Sequence, residues 1–137
     1  MALTHLADTS VLTRLGAATV RDVLEPLVGA ACVARAGITD LEVGFSARDA
    51  TEWDELVAAL SVLELIESTA THVARAGQVQ RILAERRLRG RKVPDLLIAA
   101  AAEERRLVLL HYDADFDVIS SVTGQPVEWI VARGSID

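Results

Sequence analysis

Apolar positions along this chain come in two rhythms. Short, nearly uninterrupted apolar runs occur at Leu3–Ala7, Ala31–Ala34, Leu63–Ile66, Leu107–Leu110 and Val127–Val131. Runs of this length, rich in Val, Ile and Leu, read as strands buried on both faces. Between them lie longer stretches with helical spacing. A helix is expected from Asp8 or Thr9, with Asp8 as its cap, followed by a second helical piece over 18–28. Further helices are expected from Thr39 to near Arg48, over Glu52–Leu60 and over Thr71–Arg89. In the last, Val73, Ala76, Val79, Ile82 and Leu83 fall near one face, and Gly90 stops the helix. Pro94 sits where a first turn tolerates a missing N–H, opening a helix through Ala99–Ala102 to near Arg105. Asp113–Val122 reads as a turn and a short helix. Short buried strands alternating with helices predict an α/β fold with a parallel sheet covered by helices on both faces. No repeat, low-complexity tract or linker divides the chain, so residues 1–137 are expected to form one domain.

Composition says what the core is made of. Apolar residues are 51% of the chain but aromatic residues only 4%, so the core must be built from Ala, Leu, Val and Ile. No apolar run reaches the length of a membrane span, and no basic segment precedes an apolar one as in an export signal. The expectation is a soluble, cytoplasmic protein with no membrane partner. Cys32, the one cysteine, can form no internal disulfide and is read as a small buried hydrophobe.

The net charge of −6 argues against whole-surface attraction to nucleic acid. Its distribution changes that picture. Residues 81–92 carry six basic side chains and one acidic one, whereas residues 40–67 carry eight acids and a single arginine. A basic stretch just before Asp95 is placed either to hold a phosphate backbone or to form a solvated helix face and its loop.

Five acids fall at the ends of expected strands or the starts of expected helices: Asp8, Glu42, Asp95, Asp113 and Asp115. In an open parallel sheet the carboxyl ends of the strands are where ligands bind, so the fold gives distant acids a reason to meet. Carboxylates gathered at one point must protonate or share a cation, and hard oxygen ligands suit Mg²⁺ or Mn²⁺. Each acid also has an ordinary role. Asp8 and Asp95 suit helix starts, Asp113 and Asp115 suit turns, and Thr39-x-x-Glu42 matches a capping box. Asp40 and Glu103 are expected to face water, and Asp117 to stand just outside the cluster.

Four fragments in order resemble the PIN-domain ribonucleases, specifically toxins of the VapC type. They are Asp8-Thr9-Ser10 after the first strand, Thr39-Asp40-Leu41-Glu42 on an early helix, Asp95-Leu96-Leu97-Ile98-Ala99-Ala100 opening a late helix, and His111-Tyr112-Asp113-Ala114-Asp115-Phe116 after the fourth strand. One departure is His111, where the family often carries Thr or Ser. The resemblance implies a PIN-like three-layer sandwich with a mainly parallel central sheet. It also implies Mg²⁺- or Mn²⁺-dependent endonuclease action on RNA (tRNA included), inhibition by a cognate antitoxin protein, and a homodimer.

On that reading all five acids are catalytic and metal-binding residues. Asp8, Asp95 and Asp113 are direct ligands. Glu42 and Asp115 ligate, orient the attacking water or complete a second site. Thr9 is read as a hydrogen-bond donor to a ligand or as a cap. Two other classes stay open: a non-catalytic PIN-like partner-binding module, and a Mg²⁺-dependent phosphoacceptor or phosphatase-like domain, which lacks the expected DxDx[TV] pattern. The three histidines and Cys32 show no zinc spacing, Ser10 lacks a nucleophile elbow, and there is no phosphate-binding P-loop. Trp53 and Trp129 are read as core or interface anchors.

Overall fold

The computed structural model describes residues 2–137. Its strands are β1 (His5–Ala7), β2 (Val33–Ala36), β3 (Glu64–Ile66), β4 (Val108–His111) and β5 (Val127–Trp129). They form one sheet of order β3-β2-β1-β4-β5 in which every pairing is parallel. The α-helices are α1 (Thr9–Leu12), α2 (Ala18–Gly29), α3 (Gly37–Gly44), α4 (Ala50–Ala59), α5 (Ala70–Glu85), α6 (Val93–Glu104) and α7 (Asp115–Thr123).

The pleat explains why the central strands are mostly apolar. Leu6, Ala34, Ala36, Ile66 and Leu109 point to one side, where they pack with Leu83, Ile98, Phe116 and Ile119 from α5, α6 and α7. Ala7, Val33 and Leu110 point to the other, against Val11, Val20 and Leu24 of α1 and α2. Both faces are covered, which is the three-layer sandwich expected. The sparse aromatic content forces close packing through small residues, and Ala99–Ala102 of α6 are all buried.

Several local expectations shift. The second strand begins two residues later than expected, because α2 ends in a left-handed turn at Ala31 (φ 56°) before the chain extends. The helix placed at Thr39–Arg48 runs from Gly37 to Gly44, so Thr39 is an interior, fully buried residue and caps nothing. Glu42 therefore makes no capping box. A box does form at α5, where the Thr69 hydroxyl accepts from the His72 N–H and His72 Nδ1 accepts from the Thr69 N–H. Val73 is exposed rather than on the core face of α5. Asp40 and Glu103 do not stand free in water but pair with Arg35 and Arg75 at 2.7 Å. Cys32 is buried and free. Among the described residues no helix is long and apolar enough to cross a membrane.

α3 and α4 meet at Gly44, whose missing side chain accommodates Trp53. A Cβ there would overlap the indole ring. Gly44→Ala is expected to lower unfolding stability by about 1–3 kcal/mol through overpacking, measured by urea denaturation. A variant as stable as wild type would show that Trp53 swings clear without loss.

Candidate active site

Parallel pairing brings two strand ends side by side. Ala7 is in register with Leu110, and the Asp8 N–H donates to the Leu110 carbonyl at 2.9 Å. β1 lies between β2 and β4, so the chain leaves these central strands in opposite directions and opens a crevice above them. Asp8 follows β1, α3 follows β2 directly and carries Glu42, and Asp113 and Asp115 follow β4. α6 points its first turn, with Asp95, into the same region.

Each acid is held by local bonds. Asp8 is 3% exposed and caps α1, its Oδ2 accepting from the Ser10 N–H at 2.9 Å. Ser10 also accepts, through Oγ, from the Tyr112 N–H at 2.8 Å, which ties the start of α1 to the loop after β4. The Thr9 hydroxyl donates to Glu42 Oε1 at 2.6 Å and lies 3.1 Å from the Thr39 hydroxyl. Thr9 thus does donate to an acid. The role of Ser10 as a brace was not anticipated, because its partner lies 102 residues away.

Asp113 and Asp115 share a turn in which Asp113 Oδ1 accepts from the Asp115 N–H at 2.9 Å. The Asp113 N–H in turn donates to His111 Nδ1 at 3.2 Å. His111 is fully buried between Phe116 and Trp129, with ring centroids at 5.3 and 4.9 Å. Burial lowers its pKa, so the ring is held neutral with Nδ1 as acceptor. Trp129 also donates to Asp117 at 3.0 Å and is anchored from both sides.

Carboxylate oxygens of Asp95, Asp113 and Asp115 all lie within 4.8 Å of one another. Asp8 and Glu42 stand outside that tight group but act on it electrostatically, both raising the pKa of Asp95. Asp95 is pushed up to about 7, first by burial and then by the charges of Asp8 and Asp113. Asp8 is pushed up to about 6, chiefly by burial, with Glu42 adding to it. Among the described residues, Asp8 Oδ1 and Asp95 Oδ2, both buried, have no hydrogen-bond partner. Buried carboxylate oxygens without partners are costly, and a divalent cation is the partner this donor set fits.

Beside the site runs an apolar groove of about 950 Å³. Leu15, Leu24, Val28, Leu60 and Leu63 line it, and Glu42 contributes to its wall.

The raised carboxyl pKa values give stability a definite pH dependence. Both groups favour their protonated form when folded, so this contribution is complete below about pH 4 and lost as pH rises through about 6 and about 7. In EDTA the melting temperature should fall between about pH 4 and about pH 7. Asp95→Asn should flatten that fall and melt higher than wild type at the alkaline end. Mn²⁺ should stabilise the wild type more as pH rises, since it binds the ionised form. Thermal melts insensitive to pH in both proteins would show that the carboxylates are not crowded.

A PIN domain model matches residues 6–121. Over 137 residues the chain is 63% identical to Ribonuclease VapC51 of Mycobacterium tuberculosis, covering 100% of both chains. It is 41% identical to Ribonuclease VapC21 of the same species, covering 98% of this chain and 99% of the relative. Among solved structures, the VapBC2 structure from Rickettsia felis bound to a DNA fragment from its promoter aligns with TM-score 0.75 at 21% identity, covering 93% of this chain and 98% of the other. At that identity the likeness concerns the fold. The matched family, the full-length relatives and the acid-lined crevice agree, and the chain belongs to the PIN-domain family as a member of its VapC group.

Proposed function

We propose that this protein is the ribonuclease toxin of a toxin–antitoxin pair, hydrolysing RNA phosphodiester bonds at a divalent-metal site. The observation that carries the site is the pair of buried, partnerless oxygens, Asp8 Oδ1 and Asp95 Oδ2, beside the Asp95, Asp113 and Asp115 cluster. Full-length identity to proteins named ribonucleases supports the activity.

Asp8, Asp95 and Asp113 would hold the metal directly. Glu42 and Asp115 would complete its surroundings. A bound Mg²⁺ or Mn²⁺ would supply an activated water and neutralise charge developing on the phosphoryl oxygens. The chain's own part is to hold the carboxylates before the ion arrives. Ser10 leaves one Asp8 oxygen free by occupying the other. Thr9 fixes the direction of the Glu42 carboxylate. His111 orients the Asp113 backbone without adding a charge of its own. Second-layer contacts of this kind orient metal ligands.

The site serves a phosphoacceptor less well. Asp8, the acid nearest a strand end, is almost fully enclosed and committed as a helix cap. For an antitoxin segment the apolar groove would be the seat, since Glu42 joins its wall to the acid site. The homodimer implied by the resemblance is a matter for light scattering, and translation-related RNA, tRNA included, is the substrate class to test first.

Asp8→Asn and Asp95→Asn should each abolish RNA cleavage while preserving the circular dichroism spectrum. EDTA should silence the wild type, and Mg²⁺ or Mn²⁺ should restore it. Either folded variant cutting at the wild-type rate would remove that residue from the ligand set. A wild type inactive on RNA with both metals would instead favour a partner-binding module.

A further inference from the structure

The loop between α5 and α6 carries two cations to the rim of the acid cluster, and the chemistry above gives them no task. Arg89 Nε lies 3.3 Å from Asp115 Oδ1, and Lys92 Nζ lies 3.7 Å from Asp115 Oδ2. They stand on either side of Gly90, which is buried at φ 89°. A Cβ on Gly90 would sit 3.2 Å from the Asp115 carbonyl oxygen and 3.5 Å from Ile119 Cγ1. The loop is therefore pressed at its middle against the first turn of α7, and both neighbouring cations reach one carboxylate.

The two partners differ in freedom. The Asp115 side chain is 13% exposed, whereas those of Arg89 and Lys92 are 64% and 70% exposed. The carboxylate is fixed, and the cationic heads are free to turn outward. Ion pairs with an exposed partner are weak, so leaving Asp115 is cheap.

We propose that Arg89 and Lys92 form a clamp for an RNA phosphate, and that their pairing with Asp115 is the clamp's resting position. This rests on the ribonuclease reading above. A phosphodiester approaching five acids meets like charge, and some cation at the rim must draw it in. Asp115 would help to hold a bound metal, and a carboxylate so engaged would hold Arg89 and Lys92 less firmly. The positive path also continues away from the site. Arg91 and Arg81 line a shallow groove on α5 with Gly77, Gln80 and Ala84, and Gln80 Nε2 donates to the Arg91 carbonyl at 3.2 Å. That bond holds the loop beside the groove, so an RNA backbone seated on Arg89 and Lys92 has a basic route onward.

The test compares wild type with an Arg89→Gln/Lys92→Gln double variant and a charge-keeping Arg89→Lys/Lys92→Arg variant. Binding of a labelled single-stranded RNA is followed by fluorescence anisotropy in Ca²⁺, used as a non-catalytic cation, over a range of salt. Mn²⁺ binding is measured by calorimetry without RNA. Loss of both charges should weaken RNA binding by about tenfold or more and reduce the salt slope by about 0.7, the share of the one phosphate the clamp holds. The charge-keeping variant should retain most of the affinity. Mn²⁺ affinity of the double Gln variant should be equal to wild type or tighter, since competitors for Asp115 are gone. Unchanged RNA affinity and salt slope would overturn the clamp and leave the two cations as a solvated face. Weakened Mn²⁺ binding with unchanged RNA binding would overturn it too, by making them supports of the acid site. A wild type that fails to bind RNA under these conditions also refutes it. A wild type that binds RNA through these residues yet cuts none with Mg²⁺ or Mn²⁺ would sink the ribonuclease reading and leave the clamp standing.

Discussion

Carboxylates crowded at the carboxyl edge of a parallel sheet impose the main constraint on this molecule. Asp8 and Asp95 are buried, each has an oxygen with no hydrogen-bond partner, and each is kept from ionising at its ordinary pH by its surroundings. Such an arrangement survives only where the rest of the fold determines the positions of the groups involved. The β1–β4 register, the Ser10 bridge to Tyr112 and the His111 contact to the Asp113 backbone all serve that end.

The support for that edge comes from two apolar layers built with small side chains. Ala34 and Ala36 in β2 and Ala99–Ala102 in α6 bring helix and sheet close together. This proximity carries Asp95 over the strand ends. Away from the site, the start of α5 is joined to the end of α6 by His72–Glu104 at 2.9 Å and Arg75–Glu103 at 2.7 Å. These contacts set the two helices antiparallel, which returns the intervening basic loop to the acid crevice. The placement of Arg89 and Lys92 beside Asp115 is thus a consequence of helix pairing.

Glu42 connects the two surfaces on which the proposed biology depends. Its carboxylate receives the Thr9 hydroxyl at the acid site, and its side chain forms part of the apolar groove wall. A partner chain in that groove would sit against a residue whose orientation bears on the proposed metal site. Local charge has the same division of labour. A chain of net charge −6 gathers acid where a cation is wanted and keeps its basic run for the rim.

Much of this was decided by the sequence alone. Apolar runs too uniform for a half-exposed sheet required strands covered on both faces, and acids at their ends marked the functional edge. The order of the acidic fragments, from Asp8 through Asp115, sufficed for the family. Local rules went astray where a tertiary contact outcompeted them. Thr39 and Glu42 matched a capping box, but α3 starts at Gly37, and Glu42 turns to Thr9 instead. Asp40 and Glu103 looked solvent-facing because their arginine partners are set by folding. The Ser10–Tyr112 bridge, the unpartnered oxygens of Asp8 and Asp95, and the meeting of Arg89 and Lys92 with Asp115 were also beyond the sequence. Spacing along a chain reports which residues share a face. Which charges are buried, and which partners they find, depends on contacts between segments that only the packed sheet brings within a few ångströms.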